Sequence, residues 1–257
     1  MSKNSFYLSV VIPAYDEMAN LQKGVLDKVA SYLRRQRYSY EVIVVDDGSR
    51  DGSIEYLEIF VKANKYFTLI KNPHLGKAGS VTTGMLKAKG DYILFTDMDQ
   101  ATPIEELEKL LPFFKDDFDL VIGSRNSARK GAPFTRILMA RGMMFLRSTI
   151  VGLDGIRDTQ CGFKLFTKKA SDALFSKLMT LHTGFQSVSG SSVSAGFDVE
   201  LLFLAQKMGL TIKEVPVRWL YVETRRVSPL KDSIDGLREL IKIKQNDLAG
   251  KYSGVKT

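Results

Sequence analysis

The 257-residue chain predicts an α/β fold, a mostly parallel central sheet with helices on both faces. Three observations carry this: three apolar, β-prone runs end in acids, helix-length segments separate them, and the length suffices to bury a substantial core. The first run, residues 8–12 (Leu-Ser-Val-Val-Ile), stops at Pro13 and is followed by Ala14, Tyr15, Asp16 and Glu17. Residues 20–34 then read as a helix. The second run, residues 41–45, stops at Asp46, Asp47, Gly48 and Ser49, and residues 53–65 read as the next helix. The third, residues 92–96, is bounded by Gly90 and Pro103 and leads into Asp97-Met98-Asp99-Gln100. A strand over residues 119–122 follows, ending in Gly123-Ser124-Arg125. Phe197-Asp198-Val199-Glu200 opens a helix with Leu201, Leu202 and Leu204 as its apolar face, and a last helix, residues 230–248, follows Ser228-Pro229.

Ligands of open parallel sheets sit beyond the carboxyl ends of the strands, so Glu17, Asp46, Asp47, Asp97 and Asp99 are expected in one crevice. The spacing of two puts Asp97 and Asp99 on one side if the extension continues. Such a pair is costly to bury uncompensated, and a hard divalent ion, Mg²⁺ or Mn²⁺, shared with substrate phosphates relieves it. The plain alternative is a solvated loop with two acids.

Composition sets further bounds. No Gly, Pro or Ser stretch reads as a linker and no repeat is present, so a single domain, residues 1–257, is the simpler organisation. Cys161 is the only cysteine, which excludes an intrachain disulfide; with no signal peptide pattern at the start, this implies a reducing, cytoplasmic setting. His74 and His182 are the only histidines and do not support a His-rich zinc site; His74, beside Pro73, reads as an ordinary loop residue. Residues 1–120 hold 15 Lys and Arg against 18 Asp and Glu, and the remainder 22 against 11, so the net charge of +8 comes wholly from the second half. A basic second half suits an anionic acceptor or an anionic membrane surface. Nucleic acid is disfavoured, because zinc-finger spacing, an RNP pattern and a basic heptad helix are all missing.

Five ordered motifs carry a family resemblance: Val-Val-Ile-Pro-Ala-Tyr-Asp-Glu (10–17), Val-Val-Asp-Asp-Gly-Ser (44–49), Gly-Lys-Ala-Gly-Ser (76–80), Asp-Met-Asp (97–99) and Asp-Thr-Gln-Cys-Gly-Phe-Lys (158–164). Over residues 8–243 the chain resembles family 2 glycosyltransferases, and within them the dolichyl-phosphate glucosyltransferase and mannosyltransferase group. The resemblance implies a GT-A type nucleotide-diphospho-sugar transferase fold, with residues 8–125 forming the nucleotide-sugar and metal part and residues 126–250 the acceptor and membrane-facing part. It assigns Pro13, Ala14, Tyr15, Glu17, Asp46, Asp47, Lys77, Asp97 and Met98 to the nucleotide-sugar. An Asx turn is the competing reading of Asp47. Lys77 and Gly79 match the family's pre-helix loop near the diphosphate. Asp97 and Asp99 match the metal acids, Asp99 ligating directly. Gln100 departs from the pattern, because the mannosyltransferase subset has its glutamine one position later, where this chain has Ala101. Asp99 and Arg125 are the candidate catalytic residues, Arg125 matching an arginine near the acceptor phosphate. Gly162, Phe163, Lys164, Asp198, Arg225 and Arg226 fall on the sugar and acceptor side. Asp198 has a sugar-binding or structural role, since a phosphate acceptor is already an anion and needs no general base. Cys161 reads as a small buried filler.

No run approaches the roughly 20 apolar residues that cross a bilayer. Residues 134–151 are rich in Leu, Ile and Met, interrupted by Arg136, Arg141 and Arg147; helical spacing points to core, whereas the resemblance points to an interfacial helix whose arginines snorkel. The last helix carries Lys231, Arg238 and Lys242 on one stripe and Ile234, Leu237, Ile241 and Leu248 on another, either packed on the domain or facing a membrane. The serine-rich residues 182–196 read as a loop placed to act as a lid.

The resemblance thus implies a metal-dependent, inverting transferase moving a hexose, glucose from UDP-glucose, to a polyprenyl or dolichyl phosphate, peripherally at the cytoplasmic membrane face. The alternatives are GDP-mannose or a UDP-N-acetylhexosamine as donor, a soluble or glycan acceptor, and a nucleotide-sugar sensor without catalysis. A nicotinamide-dependent oxidoreductase is disfavoured because no GxG occurs.

Overall fold

In the computed structural model, residues 6–125, 142, 144, 146–153, 155–183, 185, 195–220 and 229–253 are described. The three acid-terminated runs are strands β1 (Leu8–Ala14), β2 (Tyr40–Asp46) and β4 (Tyr92–Thr96), and β1 pairs in parallel with both others. They form the middle of a seven-stranded sheet that includes β3 (Phe67–Lys71), β5 (Leu120–Arg125), β6 (Phe163–Thr167) and β7 (Ile212–Val217), in the order β3-β2-β1-β4-β6-β5-β7. One strand is reversed: β6 runs antiparallel to β4 and β5. Its first residue, Phe163, therefore lies opposite the last residue of β4, Thr96, and the turn before β6 arrives at the edge where the parallel strands end.

Side-chain alternation explains the layers. Val10, Ile12, Val42, Val44 and Leu94 point into one buried cluster, while Val11, Ile43, Val45, Ile93 and Phe95 point into another. Full burial of each such side chain contributes about 1.5–3 kcal/mol. On the first face lie α1 (Met18–Gln22), α2 (Val25–Arg34), α3 (Ser53–Ala63) and α5 (Leu107–Leu110); on the second lie α4 (Gly76–Lys87), α6 (Lys168–Leu181), α7 (Ala195–Lys207) and α8 (Pro229–Leu248).

Several expectations shift. β1 runs through Pro13, which pairs with Val45; its pairing with β4 ends at Val11, so the missing N–H falls where only one neighbour remains. The helix expected over residues 20–34 is two helices separated at Gly24, whose φ of +71° is left-handed. In α7, Leu201, Leu202, Phe203, Leu204 and Ala205 are all buried, so the helix has no single apolar face and lies within the core. Helix α8 packs on the domain through Leu240 and Ile243, leaving Ile234, Ile241 and Leu248 of the expected stripe outward and Leu237 half-buried. Most of residues 134–151 and 182–196 lie outside the described residues, including the lid segment. At residues 146–151 the chain is helical, Val151 is buried, and Arg147 turns inward instead of snorkelling.

Candidate active site

Strand β4 ends at Thr96, and the chain turns instead of continuing in extension. The Gln100 amide donates to the Asp97 carbonyl at 3.3 Å and Gln100 takes a left-handed φ of +49°. The turn, not strand alternation, brings Asp97 and Asp99 into one cleft of about 140 Å³, lined also by Thr96, Arg125, Gln160, Cys161, Gly162 and Trp219. Gly162 makes the approach of the two walls feasible. The Asp97 amide donates to its carbonyl at 3.1 Å, and a Cβ on Gly162 would lie 1.7 Å from Asp97 Oδ2. Met98 points the other way, buried in the core, which corrects its assignment to the nucleotide-sugar surface. The Gln100 side-chain nitrogen folds back on Thr96 Oγ1 and the Asp97 carbonyl, and Gln100 does not line the cleft.

Lys77 brings a cation to the acidic turn. Its Nζ lies 2.8 Å from Asp97 Oδ1. Burial alone lowers the pKa of this ammonium, but the charges of Asp97, Asp198 and Asp99 outweigh burial and raise it. Lys77 and Gly79 sit in the first turns of α4, not in a loop before a helix. The helix starts there because Asp47 caps it: Oδ1 accepts from the Leu75 amide and Oδ2 from the Gly76 amide, each at 2.7 Å. Burial raises the Asp99 carboxyl above its ordinary pKa; the Ala101 amide, 2.9 Å from Oδ1, and Lys77 oppose this, and the Asp97 charge adds to it.

At the neighbouring strand ends, Ala14 is buried at the end of β1 and Asp46 at the end of β2. Asp46 makes the Asx turn, accepting from the Gly48 and Ser49 amides through Oδ2 at 3.0 and 3.1 Å. Both acids of the Asp46-Asp47 pair thus hold backbone in this conformation. Pro13 is partly exposed beside them, and Glu17 binds the Asn20 side chain. Tyr15 stacks on His74 with centroids 4.3 Å apart, and His74 Nδ1 contacts both the Asp47 carbonyl and carboxylate. His74 is therefore tied to Tyr15 and Asp47 instead of standing as an ordinary loop residue; the sequence signal was absent because these partners are remote in the chain.

On the opposite wall, Arg125 at the end of β5 is gripped by Asp158, with Nε and Nη2 donating at 2.7 and 2.8 Å and the Arg125 amide at 2.9 Å. Burial raises the Asp158 carboxyl, but the Arg125 guanidinium more than reverses this and holds it below the usual range. Asp158 is in turn fixed by its own amide donating to Glu214 of β7. Arg147, buried, donates to Thr159 Oγ1 and to the Ile156 carbonyl, so it braces the same turn. Trp219, the only tryptophan, lies 5.9 Å from the Arg125 guanidinium and completes the wall. Sequence reading assigned no role to Asp158 or Trp219 and placed Arg147 only on a core or interfacial helix; the position of a lone Trp after a β-prone run was the available signal.

Phe163 and Lys164 lie beneath the cleft instead of lining it. Both are fully buried, and Lys164 Nζ donates to the Cys161 carbonyl at 2.7 Å and pairs with Asp198. Asp198 is thereby held buried in an ion pair with Lys164. Cys161 is a buried filler whose thiol is pushed up to about 11 by burial. Arg225 and Arg226 lie outside the described residues.

The donor set suits a hard divalent cation. Two carboxylates face a polar cleft, and no cluster of three or more His, Cys, Asp or Glu side chains able to hold a metal occurs among the described residues. Mg²⁺ or Mn²⁺ is served by such a pair when substrate phosphates and water complete the shell, whereas a closed structural zinc site is not.

A family model, glycosyl transferase family 2, matches residues 9–175. Dolichyl-phosphate beta-glucosyltransferases of Dictyostelium discoideum and Drosophila melanogaster are 32% and 34% identical, each over 96% of this chain, which spans 76% and 77% of their lengths. The Homo sapiens protein of that name is 33% identical over 95% of this chain and 77% of its own. Among solved structures, mannosyl-3-phosphoglycerate synthase from Rubrobacter xylanophilus aligns at a TM-score of 0.60 and 14% identity, covering 98% of this chain and 77% of that one. Glucosyl-3-phosphoglycerate synthase from Mycobacterium tuberculosis, in complex with Mn²⁺, UDP and glucosyl-3-phosphoglycerate, aligns at 0.58 and 20% identity over 95% and 80%. The two structural likenesses bear on the fold alone.

Proposed function

Since the chain belongs to glycosyl transferase family 2 and is a glycosyltransferase of GT-A fold, we propose that it moves glucose from UDP-glucose to the phosphate of a polyprenyl or dolichyl lipid, with inversion. Support for the acceptor comes from the relatives' shared name over nearly the whole chain. The observation that carries the reading is the cleft in which Asp97, Asp99 and Arg125 converge. Residues 8–125 form the donor side and residues 126–250 the acceptor side.

Asp97 and Asp99 would hold Mg²⁺ or Mn²⁺, which supplies neutralisation of the charge developing on the leaving nucleoside diphosphate. Pro13, Tyr15 and Glu17, at the end of β1, seat the nucleotide. Lys77 adds a second positive charge beside the diphosphate. Across the cleft, the planar Arg125 fork, oriented by Asp158, aligns the acceptor phosphate on the face of the sugar away from the diphosphate. An acceptor oxygen forms a bond to the anomeric carbon as the bond from that carbon to the diphosphate oxygen breaks; the electron pair leaves on the nucleoside diphosphate. The phosphate is largely a dianion at neutral pH, so no proton has to be removed before attack.

The enzyme acts at a membrane, because a polyprenyl acceptor cannot leave one. No helix among the described residues is long and apolar enough to cross a bilayer, and the basic second half of the chain suits peripheral contact at the cytoplasmic face. The test is release of nucleoside diphosphate from UDP-glucose, GDP-mannose and UDP-N-acetylglucosamine, each with and without a short-chain polyprenyl phosphate. Acceptor-stimulated UDP release from UDP-glucose is expected; turnover confined to another donor, or indifferent to the lipid phosphate, overturns the assignment.

A further inference from the structure

Two lysines flank Phe95 on the second face of the sheet, and their partners differ in kind. Lys164 Nζ, 5.7 Å from the ring centroid, is fully buried and held by Asp198 and the Cys161 carbonyl. Lys77 Nζ, 5.4 Å from the same centroid, is partly exposed and pairs with Asp97, one of the two carboxylates that suit a metal. Asp99 takes part in no ion pair among the described residues, so Lys77 is the charge that compensates the acidic turn.

Charge accounting gives this contact a consequence. Asp97, Asp99 and Lys77 together carry one net negative charge. A divalent cation arriving alone turns the cleft positive and displaces the ammonium from Asp97, leaving it half-desolvated beside a dication. A nucleotide-sugar diphosphate brings two negative charges, returns the sum to one negative, and offers oxygens to which a flexible four-carbon stem can move.

We infer that Lys77 competes with the metal for Asp97 and yields only to the donor diphosphate, so that cation and donor enter together instead of cation first. This rests on the metal reading above. By linkage, the nucleoside diphosphate must raise metal affinity and the metal must raise nucleotide affinity by the same factor.

Mn²⁺ titration, followed by calorimetry and by the spin-resonance signal of free Mn²⁺, tests this in the full chain with and without UDP, or GDP if the donor screen selects it. The wild type is expected to bind Mn²⁺ weakly alone and on the order of tenfold or more tightly with the diphosphate. Lys77→Met should bind Mn²⁺ alone more tightly than wild type and lose most of the diphosphate enhancement, whereas Lys77→Arg should keep the wild-type pattern. If Lys77→Met does not fold, Lys77→Gln carries the same comparison. Diphosphate-dependent Mn²⁺ binding in the wild type with no gain for the folded neutral variants overturns this inference and leaves the metal reading intact. Absence of Mn²⁺ binding by the wild type even with diphosphate overturns both.

Discussion

Gly162 leaves no space for even one methyl group, since its added carbon would overlap Asp97 Oδ2. Gly162→Ala should therefore push Asp97 out of its position, reducing metal-dependent donor binding and costing about 1–3 kcal/mol of stability from overpacking. Thermal melting and donor titration check this; unchanged donor affinity would show that Asp97 is not held by that contact. Asp99 offers a test with a sign. Its folded-state pKa is raised, chiefly by burial, so its favourable share of stability exists below the unfolded value and is lost as pH rises through the folded one. At neutral pH without metal, Asp99 is thus a net cost to the fold. Asp99→Asn should raise Tm in chelator at pH 7 while abolishing transfer; a lowered Tm contradicts the argument. Asp158 runs the other way, with a depressed pKa whose stabilisation is present above the unfolded value and lost as pH falls through the folded one. What sequence reading could see at this scale were acids at strand ends. Which of them hold backbone and which face the cleft was not visible, because the deciding partners of Asp47, at positions 74–76, and of Arg125, at position 158, are remote in the chain.

Helix α4 shows why the start of an element can be misplaced although its residues are helix-compatible. Its N-terminal amides are met by Asp47, a residue on another element, so no local capping pattern marks the start. Removing that carboxylate with Asp47→Ala leaves two amides and the His74 ring without it, and should cost about 0.5–2 kcal/mol or somewhat more. Urea unfolding would measure the loss; a change within error means water replaces the carboxylate fully. Strands β1 and β2 were legible because burial on both faces writes continuous local runs of Val, Ile and Leu. The reversal of β6 was not, since strand direction depends on pairings between residues as distant as Thr96 and Phe163.

For the molecule as a whole, the outward stripe Ile234, Ile241 and Leu248 on α8 belongs to the half of the chain that carries the positive charge. Arg238 and Lys242 lie exposed on the same helix. Peripheral attraction of this kind contributes about 1 kcal/mol per basic residue near an anionic surface and is screened by salt. Co-sedimentation with anionic vesicles should fall from low to high salt and fall further for the folded variant Ile234→Ser/Ile241→Ser/Leu248→Ser. A wild type that stays in the supernatant at low salt makes a water-soluble acceptor the better reading. The reversed strand has a last consequence, one for inheritance. The chain leaves the sheet at β5 and re-enters at β6, immediate neighbours joined through Ile122 and Lys164, so everything between is a cassette anchored at both ends. Insertions there, short of Asp158 and Gly162 at its end, can give descendants a new lining beside Arg125 while β1, β2 and β4, with the acids that follow them, pass on unaltered.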